Sequence, residues 1–250
     1  MHESITLSLT GNSTELTVNY FPSLNVYEDS EIALLSLQTF NSFPNIINAF
    51  NNRLEMEVIH PERRNAKVRT VELALPDGCY EIEDINNAIA KMLFSINKEY
   101  RTELTFSVRM DPVDFRTYIK CNGILNFDIP YSIAPVFGFE KRVYKPRYET
   151  IRSEKAVNLN TINSIKVMCN IAHGSFNNEL QSHSIYEFFP SGRTGTKVVQ
   201  SPLNLIYYRL NKTDINSITV ELVDQNNNPI DNLNETLTVV LHIKRHGSHH

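Results

Sequence analysis

At 250 residues, with 41% hydrophobic and 21% charged content, the chain can bury a sizeable core and belongs with globular rather than disordered sequences. Its net charge of -4 and sequence pI near 6.1 exclude an overall basic footprint for nucleic acid. No stretch approaches the roughly 20 apolar residues of a membrane span, and the opening residues lack a signal-peptide pattern, so synthesis in cytosol or nucleus without membrane contact is expected. Three cysteines, Cys79, Cys121 and Cys169, are odd in number and widely spaced. They read as buried thiols rather than a disulfide framework or zinc finger. The final Gly247-Ser248-His249-His250 reads as a purification-tag remnant (247–250), which leaves residues 1–246.

Ser4 to Thr10 alternates Ile5, Leu7 and Leu9 with serine and threonine, the period-two pattern of a half-buried strand. A short second strand at Glu15 to Asn19 is expected to break into a loop at Phe21-Pro22. Glu31 to Phe40 is mostly apolar and reads as a strand buried on both faces. Alternation resumes at Arg53 to His60 and Lys67 to Leu75, with Pro61 to Asn65 as the polar turn between them. After the Pro76-Asp77-Gly78 turn comes a helix: Ile82, Ile85, Ile89, Met92, Leu93 and Ile96 recur at three and four, while Glu83, Asn86, Asn87, Ala90 and Lys91 face away. Acids Glu81, Glu83 and Asp84 at its start and Lys98 near its end suit the helix dipole.

Strands are expected again at Leu104 to Met110, Thr117 to Cys121 and Ile124 to Phe127, then a helical turn within Pro130 to Phe139. Lys141 to Lys155 is basic, contains proline and has no period, and so reads as a loop. The stretch Ser164 to Ser201 reads as strand, loop, strand and turn: Ile165, Val167, Cys169 and Ile171 share one face, His173 to Ser182 is a polar loop, and Ser184 to Phe189 is a strand that stops at Pro190. Asn204 to Leu210 follows as a strand. Ile218 to Leu222 and Leu237 to Ile243, joined by the polar segment Asp224 to Asn234, read as a hairpin. About ten or more strands, one helix and no internal repeat give an all-β chain: a single jelly-roll β-sandwich of two antiparallel sheets with one inserted α-helix, as one domain over residues 1–246.

Catalytic patterns are sparse. No G-x-G-x-x-G, G-x-x-x-x-G-K, G-x-S-x-G or H-E-x-x-H spacing occurs, so no cofactor and no enzyme activity are read from the chain. His173 and His183 with Glu179 and Glu187 could meet a metal, but polar loop residues on a strand pair are the favoured reading. Glu81, Glu83 and Asp84, or Asp111 with Asp114, could form an acid–base pair, yet helix and turn chemistry account for them. The absence of Trp weakens a sugar-stacking role. The basic segment supplies the candidate contact residues Arg142, Tyr144, Lys145, Arg147 and Tyr148, suited to a subunit surface or to a phosphate backbone.

Several segments, taken in order, resemble the minor capsid or penton protein of Polinton (Maverick) elements and their adintovirus relatives, virus-like DNA transposons of animal genomes. They are ITLSLTGNSTEL, LLSLQTFNSFPNI, LPDGCYEIEDINNAI, VFGF, IKVMCNIAHGSFNN, HSIYEFFP leading to SPLNLIYYRL, and VELVDQ, spanning Ser4 to Lys244. The resemblance implies a non-enzymatic jelly-roll subunit of the virion capsid, made in the host cytoplasm and assembled there or in the nucleus. It also implies a homopentamer at icosahedral vertices, beside a double-jelly-roll major capsid protein and in weak contact with packaged DNA. No catalytic residue carries over. A lectin-like or receptor-binding β-sandwich is the alternative.

Overall fold

The structure is a computed structural model and describes residues 3–58, 69–146, 149–160, 162–177 and 179–247. From the amino terminus, β1 (Ser4–Gly11), β2 (Glu15–Asn25) and β3 (Ser30–Phe40) are followed by β4 (Arg53–Val58), β5 (Arg69–Ala74) and α1 (Ile82–Tyr100). Then come β6 (Phe106–Met110), β7 (Arg116–Cys121), β8 (Ile124–Asn126), α2 (Ala134–Phe137), β9 (Val143–Tyr144) and β10 (Thr150–Ala156). The last third holds β11 (Ile165–Cys169), β12 (Ala172–His173), β13 (Ser175–Asn177), β14 (Leu180–Ser182), β15 (Ser184–Phe188), β16 (Lys197–Gln200), β17 (Tyr208–Leu210), β18 (Asp214–Asp224) and β19 (Leu237–Arg245). These elements form two compact units, one of Met1–Phe43 with Ile162–His250 and one of Pro44–Thr161 inserted between β3 and β11. The expectation of one domain over 1–246 does not distinguish them, because no low-complexity linker marks either crossing.

The first unit has two antiparallel sheets, ordered β1-β19-β3-β17-β12 with β16 also on β3, and β15-β11-β18-β2. The chain shuttles between them: β1 in the first, β2 in the second, β3 back in the first, β11 and β15 in the second, β16 and β17 in the first, β18 in the second and β19 in the first. That order is the jelly roll expected from the sequence. Its cause is legible in the strands, since each carries one apolar row that must meet an apolar row on the facing sheet. Ile165, Val167, Cys169, Ile218, Val220 and Leu222 from the second sheet and Leu37, Leu237, Val239 and Leu241 from the first are fully buried in one cluster. At about 1.5–3 kcal/mol for each large side chain, this layer outweighs any surface interaction in the unit.

Several local expectations change. The pair read as a hairpin is not one: β18 pairs with β11 and β2, whereas β19 pairs with β1 and β3. Both strands are apolar on one face because they face the same core from opposite sheets, and the 225–236 connection is far longer than the roughly two to five residues of a hairpin loop. This crossing is held down by Lys166, buried on the outer side of β11, whose ammonium donates to Gln225 O and Asn227 Oδ1, both at 3.1 Å. Thr14 Oγ1 also donates to Ile230 O at 2.6 Å, and Ser42 Oγ to Asn232 O at 2.8 Å.

β2 does not stop at Asn19 but continues to Asn25. Its register skips between the Asn19–Ser217 and Leu24–Ile215 pairs, so Tyr20 to Ser23 bulge outward and Pro22 occupies a place where no ladder donor is needed. Within the expected loop His173 to Ser182, His173 belongs to β12, and Ser175–Asn177 pairs with Leu180–Ser182 as β13 on β14. Only Tyr208–Leu210 of the expected strand 204–210 is paired.

The second unit contains the sheets β5-β4-β8-β9 and β10-β7-β6, with α1 and the short α2 around a separate core. The helical turn expected within 130–139 is α2, so the insertion carries two helices. Ile82, Ile85, Ile89 and Leu93 are the buried stripe of α1. Glu81 and Asp84 form a capping box in which the Glu81 amide donates to Asp84 Oδ2 at 3.0 Å, closing the helix start. Asn86, expected to face away, instead accepts the Val108 amide at 2.7 Å and donates to Val108 O, tying the helix to β6. Asn97 closes the other end, accepting from Thr102 Oγ1 at 2.8 Å and the Leu104 amide at 2.9 Å. Gly138 ends α2 with φ of +79° where a Cβ would meet Lys155 O at 2.3 Å, so the VFGF segment needs glycine on both counts. No helix among the described residues is long and apolar enough to cross a membrane.

Ile89 is 1% exposed. Replacing it with alanine should lower unfolding stability by roughly 2–5 kcal/mol, and with aspartate should abolish the cooperative unfolding transition of the second unit, measured by denaturant titration. Burial pushes the Cys121 and Cys169 thiols up to about 11, against weaker opposing backbone hydrogen bonds. Neither thiol should react with a disulfide reagent at pH 8 until the protein is unfolded, whereas the partly exposed Cys79 marks the native baseline.

Candidate subunit-contact surfaces

The basic segment is structured. Val143–Tyr144 forms β9, pairing with β8, and Thr150–Ala156 forms β10, pairing with β7, so the segment expected as a loop over 141–155 contains two strands. Glu154, on β10, faces Arg142 and Tyr144. Arg142 NH2 lies 2.6 Å from Glu154 Oε1, Tyr144 Oη donates to the same oxygen at 2.8 Å, and the guanidinium sits 4.8 Å from the Tyr144 ring centroid. The Tyr144 ring packs edge-on against Phe127 at 5.7 Å and Phe139 at 5.2 Å. Arg152 likewise pairs with Asp114.

Two of the segment's arginines are thus occupied within the fold, and the Tyr144 ring is buried rather than offered for stacking. Lys145 is exposed beside them, and Arg147 and Tyr148 lie outside the described residues. Among the described residues, the lysines Lys141, Lys145 and Lys155 are exposed there and open for contact.

The same pairing sets local protonation. Burial opposes the charge of Glu154, but hydrogen bonds from Tyr144 and Arg142 outweigh it and hold the carboxyl below its ordinary value of 4.5. Asp114 is held low by the Arg116 amide and by Arg152. These acids are structural, and Asp111 is too, accepting the Val113 amide at 2.8 Å in the turn before β7. His173 meets Gln181 and His183 meets Ala172 O at 2.7 Å. Among the described residues no group of three or more His, Cys, Asp or Glu side chains is placed to hold a metal ion.

The first unit carries a surface that sequence reasoning assigned elsewhere. β16 pairs with the Leu37–Phe40 end of β3 and β17 with its Glu31–Ile32 end, so residues 201–207 pass along the sheet edge without ladder pairing. Tyr207 anchors them: its hydroxyl is hydrogen-bonded to His242 Nδ1 at 2.8 Å, its ring meets the His242 ring at 5.9 Å, and Lys244 Nζ lies 4.3 Å from the tyrosine centroid. Ser4 Oγ holds the other ring nitrogen of His242 at 2.9 Å. With the segment fixed at Tyr207, Leu203, Leu205 and Ile206 are left in solvent, joined by Val199 on β16 and Phe189 after β15. On the opposite side of the sandwich, the β2 bulge exposes Phe21 fully. Asn204 to Leu210 reads as a strand in the sequence, but only Tyr208–Leu210 is paired, and Leu205 and Ile206 are exposed.

No family model matches the chain, and no curated protein does. The chain is similar to the solved structure of the mavirus penton protein, with 10% sequence identity, 96% of this chain and 98% of that chain covered, and a TM-score of 0.49.

Because the folded Glu154 pKa is depressed, its contribution is complete above the unfolded value near 4.5 and is lost as pH falls through the lower folded value. A Glu154→Gln variant should therefore melt below the wild type at pH 7, and the gap should close as pH drops from about 4.5 downward. A gap constant with pH would assign the loss to packing instead.

Proposed function

We propose that this chain is a structural subunit of a viral or virus-like capsid, of the penton kind, acting by self-assembly and not by catalysis. The observation that carries the reading is where the exposed apolar side chains lie. In the first unit they flank the edges of the jelly roll, at Phe21 on one side and at Leu203, Leu205 and Ile206 on the other, while the second unit exposes others, among them Phe50, Phe94 and Val113. Jelly rolls serve as capsid subunits, lectins and enzymes, so fold alone does not select among them. Large apolar side chains left in solvent on these edges favour assembly, because exposed apolar groups of this size gain most when a second surface covers them.

The ordered sequence resemblance from Ser4 to Lys244 agrees with this role. On this reading the first unit is the jelly roll, residues 44–161 are an insertion in its β3–β11 connection, and the assembly is a homopentamer seated among double-jelly-roll major capsid proteins in the virion. Lys141, Lys145 and Lys155 belong to a secondary contact surface in the insertion, with packaged DNA a weak partner at most, since the chain's net charge is -4.

The test is the mass of the full chain by light scattering behind a sizing column, over a range of concentration. A species near five times 28.7 kDa is expected. A strict monomer that also fails to join a capsid shell when mixed with a double-jelly-roll major capsid protein would remove the reading.

A further inference from the structure

In the second unit, α1 treats the two strands it flanks in opposite ways. On β6 the Asn86 side chain accepts the Val108 amide at 2.7 Å and donates to Val108 O, the two bonds that a neighbouring strand would make. β5, at the end of the sheet β5-β4-β8-β9, receives no such partner. Arg53 donates its amide to Tyr131 O at 2.9 Å and accepts the Ile133 amide at 2.8 Å, so its backbone turns away from β5, while the Leu75 amide donates to Asn52 O at 2.9 Å. Leu54 with Leu73 and Met56 with Val71 are then the pairs that bond across the ladder, by alternation. Thr70, Glu72 and Ala74 point their amides and carbonyls to the open side, and among the described residues no hydrogen bond reaches these backbone groups.

This edge is not blunted. β5 holds one register with β4 from Arg69 to Ala74 and contains no proline, whereas β2, β10 and β15 slip against their neighbours. Beside it runs a groove of about 440 Å³ between β5 and α1, lined by Glu72, Leu73, Lys91, Met92, Ser95 and Ile96. Its walls are largely apolar: Leu73 is buried, and Met92 and Ile96 are only partly covered by the core. Lys91 is exposed, its neighbours at three and four residues along the helix are the uncharged Asn87, Ala88, Phe94 and Ser95, and it forms no ion pair among the described residues. The acid of the groove, Glu72, is engaged by Arg53 at 2.8 Å. The groove therefore offers apolar side chains, a row of open backbone groups and one unmatched positive charge.

We infer that this edge takes an extended peptide segment of a second protein, added to β5 as a further strand between β5 and α1. The peptide's main chain bonds to the open groups of Thr70, Glu72 and Ala74 and supplies affinity. Its side chains alternate, so every second one enters the groove. There apolar side chains rest on Leu73, Met92 and Ile96, and a carboxylate meets Lys91, which together select the sequence. The inference does not depend on the assembly reading above, since the edge and the groove lie within the second unit of one chain.

The probe is a fluorescein-labelled octapeptide in which serine alternates with valine and one valine is replaced by glutamate, titrated against the full chain by fluorescence anisotropy. It should bind, and its binding should slow hydrogen exchange across residues 69–74, read by mass spectrometry. A counterpart with lysine in place of the glutamate should bind about threefold or more weakly. A fully N-methylated version keeps the side chains but loses the main-chain donors, and should not bind. Lys91 is exposed, so Lys91→Glu should leave the melting temperature unchanged and reverse the preference between the glutamate and lysine peptides. Binding that survives N-methylation, or that leaves exchange across 69–74 unaltered, would overturn strand addition. An unchanged preference in Lys91→Glu would overturn the placement of the carboxylate. No binding of either peptide up to about 1 mM would overturn the inference outright. Exchange across 69–74 that slows with protein concentration alone would make a second copy of this chain the occupant and overturn the assignment to a second protein.

Discussion

Apolar burial between two facing sheets is the constraint on which the rest of the first unit depends. Ile165, Val167 and Cys169 on β11 and Ile218, Val220 and Leu222 on β18 have no alternative partner of comparable worth to Leu237, Val239 and Leu241 on β19. Once these rows meet, the polar rows between them must point outward, because the side-chain period of a strand is two. Several buried polar groups are paired, although among the described residues Ser30 Oγ and Thr39 Oγ1 are buried without a hydrogen-bond partner. Lys166 reaches the carbonyl of Gln225, and His242 has both ring nitrogens engaged, by Ser4 and Tyr207.

The same constraint explains why the edges matter. A two-sheet sandwich has open sides that its own core cannot cover, and nature usually blunts such sides with lysine, proline or a bulge. Here the β2 edge uses a bulge with Pro22, yet places Phe21 at its tip, and the opposite edge substitutes an unpaired apolar segment for a continuous strand. Basic side chains elsewhere are treated differently: Arg142 and Arg152 are drawn into pairs with Glu154 and Asp114. Exposed pairs of this kind contribute little to stability, so their main effect is to fix β9 and β10 and to silence charge that would otherwise face solvent.

Much of the fold was legible in the residues. The alternation of β1 and β4, the doubly buried β3, and the three-four stripe of α1 all follow from local periodicity and stand in the structure as expected. The candidate contact residues were legible only as a composition. Arg142 and Tyr144 do come together, but on Glu154 and against Phe127 and Phe139, a meeting set by strands β8, β9 and β10 that no spacing in 141–155 announces. The exposure of Leu203, Leu205 and Ile206 was not legible, since hydropathy cannot tell an apolar row that finds a partner from one that does not.

By itself, then, the sequence determined the class of the long periodic elements and the mostly-β architecture, because these depend on neighbours one to four residues away, whereas β9, β10, β13 and β14 lie in segments that read as loops. Tertiary structure alone decided that β18 and β19 lie in opposite sheets and that residues 44–161 form a unit of their own. Those outcomes rest on contacts between residues up to 240 apart, such as Ser4 with Lys244. Identical local patterns permit many long-range pairings, and the one observed is the pairing in which every apolar row is covered except the edges.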